Sequence, residues 1–353
     1  MSDVIVAPET RDLDDLAGSL GDWLAERMPQ AQGLRVVNLD YPRGAGQSHE
    51  TILFDVEWRQ GYAVQTMGCV VRIRPGAFTV FPDNLFDEQY QVMRRLFEDG
   101  RVRIAEPLWI ENDPAVLGKP FFVMRKVQGR VPVSIPPYAR EGWVKDATPA
   151  QRRTMWESGV RQLAAIQTVP VDGFDFLAGP AHARSGLAQE WDKYVRFVAW
   201  LAAEGATPEY LRPLEKGLAR LDACRPANQP EGLVWGDARL GNMMFGDDFQ
   251  VLAVMDWEQP SLGGALHDLA WFAEICDTMH GRNCRFAEPL EGMGSFDETV
   301  ALWQEVSGKS AADLDWYVDF ARVKMSCTGV RLGLLRGTYM MTPDDIAKRL
   351  RVA

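Results

Sequence analysis

The sequence predicts an α+β chain of two unequal lobes, a small antiparallel-sheet lobe over residues 1–127 and a larger helical lobe over 128–353. Three observations predict it. Short apolar runs rich in β-branched residues crowd the first third, runs of helical period fill the rest, and the Pro- and Gly-bearing stretch "QGRVPVSIPPYAREG" stands between them. With 353 residues, 46% of them hydrophobic, the chain is too long for one small core and has ample apolar material for two.

The elements follow in order. Residues 10–28 form an amphipathic helix: Thr10 is placed as N-cap, Asp12, Asp14 and Asp15 fall in the first turn, and Leu13, Leu16, Leu20, Trp23 and Leu24 share one stripe. Pro29 ends it. Five strands come next, "LRVVNLDY", "TILFDVEW", "CVVRIR", "PLWIEND" and "FFVMRKV", with one helix, Leu85 to Asp99, between the third and fourth. Helices are then expected from Thr148-Pro149 to about Thr168, over "GLAQEWDKYVRFVAWLAAE" and "PEYLRPLEKGLARLDA", from about Gly264, from Ser295 with its capping-box partner Glu298, and over Ala311 to Leu335. One hairpin interrupts this series: "NMMF", a turn at Gly246-Asp247-Asp248, then "QVLAVMDW".

Charge and composition exclude several functions. A formal net charge of −11 argues against nucleic acid or an anionic membrane as partner, since both need clustered Lys and Arg. The five cysteines contain no C-x-x-C pair and the four histidines show no metal-ligand spacing, so reduced thiols are expected and zinc is not. No uninterrupted apolar run has the length of a membrane span, and the N-terminal residues lack the basic-then-apolar pattern of a signal peptide; a cytoplasmic protein is expected, monomer or homodimer.

The chemistry concentrates in "GLVWGDARLGNMMFGDDFQVLAVMDWEQP". Asp237 and Asn242 lie in a loop bounded by glycines, and Asp256 follows an apolar strand that should pin it. Three oxygen-bearing side chains at the mouth of a hairpin suit a hard cation that also binds phosphate. The plainer alternative is that turns are simply rich in Asp, Asn and Gly.

The spacing Asp-x-x-x-x-Asn, followed by an Asp after an apolar strand, resembles the catalytic and metal loops of the aminoglycoside phosphotransferase and choline kinase-like superfamily. The branch it looks most like is related to the kinase domains fused to some acyl-CoA dehydrogenases, and the likeness runs from about Asp40 to Leu335. It implies a protein kinase-like two-lobe fold and an ATP- and magnesium-dependent transfer of phosphate to a small hydroxylated acceptor. Asp237 would be the base, Arg239 would reach the transferring phosphoryl group or pair with a carboxylate, and Asn242 and Asp256 would hold Mg2+. Glu258 would face the acceptor or form a structural ion pair. Asp268 would brace the catalytic loop or serve as a helix N-terminal charge. In the sheet lobe, Gly44, Gly46 and Ser48 would cover the phosphates. Arg72 would bind them with Glu88 as its partner, although Gln89 stands at the position aligned most directly. Met124, Arg125 and Val127 would present main-chain atoms to adenine. Trp235 departs from the pattern, which has His or Tyr there.

For the acceptor, the resemblance points to a hydroxy acid or hydroxyacyl-CoA, with an aminoglycoside or amino alcohol as the alternative. Another alternative is an ATP-binding regulator without phosphotransfer, for which Trp235 and the uncertain Arg-Glu pair speak. Protein kinase activity is disfavoured, because no D-F-G, A-P-E or activation loop follows Asp256.

Overall fold

A computed structural model describes residues 11–42, 50–75, 79–284 and 287–353. In chain order its elements are α1 (Leu13–Arg27), β1 (Gln32–Asp40), β2 (Glu50–Gln60), β3 (Ala63–Ile73), α2 (Phe86–Asp99), β4 (Pro107–Glu111), α3 (Pro114–Leu117), β5 (Phe121–Arg125), α4 (Trp143–Asp146) and α5 (Pro149–Thr168). There follow α6 (Leu187–Ala203), α7 (Pro208–Asp222), β6 (Met243–Phe245), β7 (Val251–Val254), α8 (Leu266–Met279), α9 (Phe296–Ser307), α10 (Leu314–Arg336) and α11 (Pro343–Arg349). The chain divides into two compact units, residues 1–79 with 104–128 and residues 80–103 with 129–353.

The first unit is built on a five-stranded sheet of order β1-β2-β3-β5-β4, antiparallel throughout. Period-two alternation sends Ile52, Phe54 and Val56 of β2, Cys69, Val71 and Ile73 of β3, and Phe121 and Val123 of β5 into one buried layer. The stripe Leu16, Leu20, Trp23 and Leu24 of α1 joins that layer. Trp23 packs its ring 4.8 Å from that of Phe121 and donates its indole N–H to Glu111 Oε2 at 2.8 Å. Thr10, expected as the cap of α1, lies outside the described residues. Asp12 takes the cap position, accepting from the N–H groups of Asp14 and Asp15 at 2.9 and 3.2 Å, so the helix starts later than expected.

In the second unit the helices match the expected runs, with capping boxes at Thr148/Gln151 and Ser295/Glu298. Its centre is α5. Trp156 of α5 donates to Thr299 Oγ1 on α9 at 3.2 Å, and Trp303 of α9 returns a hydrogen bond to Gln167 Oε1 at the far end of α5. Gly159 lets another segment approach α5 closely: a Cβ there would stand 2.6 Å from Leu240 Cδ2, so Leu240, between Asp237 and Asn242, seats directly on the helix. The expected hairpin forms as β6–β7, and Val251 N–H donates to Ser158 Oγ of α5 at 2.9 Å. Helix α11 was not anticipated although Thr342-Pro343 and Asp345 form a legible capping box, whereas α3 and α4 are single turns too short to show a period. Among the described residues no helix is long and apolar enough to cross a membrane.

The interface of α8 and α10 buries His267 edge-on to Tyr317 and Phe320, at 5.1 and 5.3 Å between ring centroids. Burial pushes its pKa down from 6.5 to about 3, the Lys324 and Lys193 charges adding to this and Glu190 opposing it. Burial likewise pushes His280 down to about 4. Both folded values lie below the unfolded one. Each neutral imidazole therefore contributes its full stability above pH 6.5 and loses it as the pH falls through the acid range. Asp268, raised by burial to about 6, acts in the opposite direction between that pH and its ordinary 3.8. In urea unfolding between pH 7 and pH 5, the wild type should lose on the order of 2 kcal/mol more than His267→Phe. Equal losses in the two proteins would refute the assignment.

Candidate active site

The second unit assembles Asp237, Arg239, Asn242 and Asp256 from two loops. The first loop enters through Val234, whose N–H donates to Ser261 O at 2.8 Å while Ser261 N–H returns a bond to Val234 O at 3.2 Å. Gly236 follows at φ 104°, and a Cβ there would stand 2.5 Å from Gln259 O, so both backbone conformation and space demand glycine. The chain then presents Asp237 with its side chain about one-third exposed.

Three donors hold that carboxylate. Oδ2 accepts from Arg239 Nε at 2.9 Å and from Asn242 Nδ2 at 2.8 Å, and Oδ1 accepts from the indole N–H of Trp271 at 3.0 Å. Asn242 Nδ2 also donates to Asp237 O at 3.0 Å, which commits the amide nitrogen and distinguishes it from the amide oxygen. Arg239 extends Nη1 to Ser134 Oγ at 2.8 Å, and its charge also feels Asp256.

Beneath the loop lies α8. Asp268 is fully buried and accepts the main-chain N–H of Trp235 at 2.6 Å and of Gly236 at 3.0 Å, with Gln167 Nε2 at 3.5 Å. Burial raises its pKa to about 6, against the pull of Lys324 and the two main-chain donors. Asp268 and Trp271 stand three apart on one helix, so a single face of α8 grips the loop twice, by its main chain and by the Asp237 side chain.

The second loop is tied to the first through Met255. Its N–H donates to Asn242 O at 2.8 Å, and its carbonyl accepts the indole N–H of Trp235 at 2.8 Å. Trp235 is fully buried beside Trp257, with ring centroids 5.8 Å apart. It therefore fills space and spends its single donor on the residue next to Asp256. Asp256 itself has φ 63°, a left-handed conformation that costs a non-glycine residue on the order of 1 kcal/mol and is held by its surroundings. Among the described residues, no cluster of three or more His, Cys, Asp or Glu could hold a metal ion. The oxygen set available at this site is Asp256 together with the Asn242 amide.

The remaining candidates are placed by unit. In the sheet unit, half-buried Arg72 of β3 lies opposite Thr51 of β2 and Phe122 of β5, and Met124 lies opposite Val70. Arg125 pairs its guanidinium with Glu106 at 2.7 Å and spends its main-chain N–H on Glu106 O, while Lys126 N–H goes to Gly68 O. Val127 follows these two residues in the chain. Gly44, Gly46 and Ser48 lie outside the described residues. In the second unit, Glu88 of α2 is half-buried, whereas Gln89 is buried and, among the described residues, neither of its amide atoms has a hydrogen-bond partner.

A model of the phosphotransferase enzyme family matches residues 51–306, most of the chain. The chain belongs to that family. This phosphotransferase family member is 24% identical over 336 residues to acyl-CoA dehydrogenase family member 11 of Pongo abelii, covering 88% of this chain but 40% of that protein. It therefore spans less than half of that relative's length. Among solved structures, a Ralstonia eutropha protein provisionally assigned as an aminoglycoside phosphotransferase superposes with a TM-score of 0.65 at 20% identity, covering 95% of this chain and 94% of that one. Aminoglycoside phosphotransferase APH(4)-Ia, solved with ADP and hygromycin B, gives 0.53 at 14% identity, covering 95% and 96%. These likenesses establish the kinase-like α+β fold expected from the sequence.

Sequence reasoning gave Trp271, Ser134 and Met255 no role at the site. The three-residue spacing of Asp268 and Trp271 in "HDLAW" was the signal available for the first. Ser134 is contributed across 105 positions and has no local signature. The steric argument at Gly236 is open to test. Gly236→Ala should lower stability by about 2 kcal/mol or more, combining positive φ with a clash against main chain. Thermal unfolding indistinguishable from wild type would show that the Gln259 contact yields more freely than its geometry implies.

Proposed function

We propose that this phosphotransferase moves the γ-phosphate of ATP to a hydroxyl of a small acceptor, a hydroxy acid or hydroxyacyl-CoA, in the cytoplasm. The observation that carries the reading is the hydrogen bonding of Asp237. An ionised carboxylate offers about four lone-pair positions. Arg239 and Asn242 fill those of Oδ2, and Trp271 takes one of Oδ1, so one acceptor position remains on Oδ1 for a substrate hydroxyl. Asp237 orients that hydroxyl and takes its proton as the oxygen attacks phosphorus. Arg239, anchored at one end on Asp237 and at the other on Ser134, lends its charge to the transferring phosphoryl group.

The donor set also fits magnesium, which takes one or two protein oxygens and completes its shell with phosphate and water. Asp256 and the Asn242 oxygen would hold the ion, whose chemistry here is to neutralise charge on the phosphates. Arg72, with Glu88 or Gln89 on α2, is assigned to steadying the nucleotide phosphates, Gly44, Gly46 and Ser48 to covering them, and Met124, Arg125 and Val127 to the adenine. The ADP bound to APH(4)-Ia supports an adenine nucleotide. The name of the Pongo abelii relative supports an acceptor of acyl-CoA chemistry. Five cysteines without a disulfide support a reducing compartment.

Two variants test the mechanism. Asp237→Asn should abolish turnover, by about a hundredfold or more, while ATP affinity measured by calorimetry stays close to wild type. Near-normal turnover with a confirmed acceptor would sink the role of Asp237 as base. Trp271→Phe keeps the ring and deletes the N–H on Oδ1. In steady-state kinetics kcat should fall about tenfold while KM for ATP holds within about twofold. A rise in KM for ATP with unchanged kcat would instead place Trp271 in nucleotide binding.

A further inference from the structure

Helices α6, α8 and α10 of the second unit bury four charged side chains together: Glu190 and Lys193 of α6, Asp268 of α8 and Lys324 of α10. Glu190 Oε1 accepts from Ser261 Oγ at 2.6 Å and lies 3.8 Å from Lys193 Nζ, while its Oε2 lies 3.4 Å from Lys324 Nζ. Lys193 Nζ also donates to Gln259 O at 3.3 Å. Buried charge is costly unless it is matched, and one carboxylate does not match two ammonium groups. The second negative charge is that of Asp268, whose ionised form the Lys324 charge favours.

Lys324 stands where this network meets the loop of Asp237. Its ammonium lies 5.4 Å from the ring centroid of Trp271 and 5.3 Å from that of Tyr194. A cation against an indole is attracted by the ring and draws electron density from its nitrogen, which makes the N–H a better donor. That N–H is the one given to Asp237 Oδ1. A second route runs through Glu190. Ser261, whose hydroxyl bonds to Glu190, exchanges main-chain hydrogen bonds with Val234 at the entry to the same loop. An apolar side chain of similar length would fill this space without the cost of desolvating an ammonium, so the lysine is explained by what its charge does.

Building on the reading of Asp237 as the base, we propose that Lys324 is a positioning residue for phosphotransfer: its ammonium fixes Trp271 and Glu190, and through them the loop that presents Asp237. The same charge keeps Asp268 accepting from both Trp235 and Gly236. Around that carboxylate, burial opposes ionisation, Lys324 and the two main-chain donors favour it, and Glu190 opposes it more weakly than Lys324 favours it. Gln167 adds a neutral amide, and His267, its neighbour on α8, is kept neutral by burial. Without Lys324, Asp268 takes up its proton at higher pH, and a protonated carboxyl turns one of its oxygens into a donor.

The experiment compares the full chain with Lys324→Met, which keeps the length and deletes the charge, and with Lys324→Arg, which keeps the charge. Heteronuclear NMR follows the amide protons of Trp235 and Gly236 and the indole proton of Trp271, the last identified as the signal lost in Trp271→Phe. In the wild type the two amides should titrate together near pH 6, with Asp268. In Lys324→Met their midpoint should rise by about one unit or more and the indole signal should move with them, while Lys324→Arg follows the wild type. ADP release from ATP and magnesium is then measured with a hydroxy acid as acceptor and with water alone. For Lys324→Met, kcat should fall about tenfold at neutral pH, recover as the pH passes the raised midpoint, and leave KM for ATP within about twofold. Should Lys324→Met fail to fold, Lys324→Met/Glu190→Gln removes the ion pair whole. Because Lys324 outweighs Glu190 at Asp268, its midpoint should still exceed that of the wild type. An unmoved midpoint, a loss of kcat equal at every pH, or a raised KM for ATP with unchanged kcat would each overturn the role of Lys324. Shifted amide and indole signals in a protein whose wild type releases no ADP would instead overturn the phosphotransfer reading and leave the hold of Lys324 on the loop standing.

Discussion

The buried carboxylate of Asp268 is the constraint on which the candidate site depends. A loop that must hold a reactive side chain cannot use the periodic hydrogen bonds of helix or strand, so its main-chain donors need other partners. Asp268 supplies them for Trp235 and Gly236, immediately ahead of Asp237. Burial alone disfavours its charge, as the rise of its pKa to about 6 records, and the charge is held in place by those two donors and by Lys324 nearby. The network does not end there. Gln167 of α5 touches the same carboxylate, and Trp303 of α9 holds the other end of the Gln167 amide, so three helices share in fixing one loop. Such a network is stable only when every member is satisfied, which gives it a single geometry.

A second constraint makes the loops of Asp237 and Asp256 behave as one piece. Met255 gives its N–H to Asn242 and its carbonyl to Trp235, so Asp256 cannot shift without disturbing the loop of Asp237. The left-handed backbone at Asp256 fits this picture: an unfavourable conformation persists where neighbours over-determine it. The substitution of Trp for the usual His or Tyr then has a physical account. What the position requires is a buried flat body with one donor aimed at the second loop, and the indole N–H of Trp235 supplies it.

These relations also explain what could be read from the sequence. Strand alternation in β2, β3 and β5, the capping boxes of α5 and α9, and the spacing of Asp237, Asn242 and Asp256 are local, and each is written in a few consecutive residues. The start of α1 was misjudged because Thr10 and Asp12 are both good caps and local propensity barely separates them. Ser134, Trp271 and Met255 escaped because their importance lies in tertiary hydrogen bonds. A serine that meets Arg239 from 105 positions away looks in the sequence like any other loop serine. The inward-facing residue of α2 is an intermediate case: helical period alone does not distinguish Glu88 from Gln89, and the structure buries Gln89.

Rigidity of this kind bears on how such a site discriminates between acceptors. Asp237, Arg239, Asn242 and Asp256 all belong to the second compact unit and are held by its own helices and hairpin, so their arrangement does not wait for an acceptor to form it. A preorganised centre saves the cost of ordering at the moment of reaction, and its donors serve any hydroxyl equally. Selectivity must then come from surfaces that touch the rest of the acceptor. The 129–140 segment adjoins the centre without forming it: it is anchored by Phe245, Trp143 and His280, contacts Arg239 through one serine, and leaves its apolar side chains outside that contact.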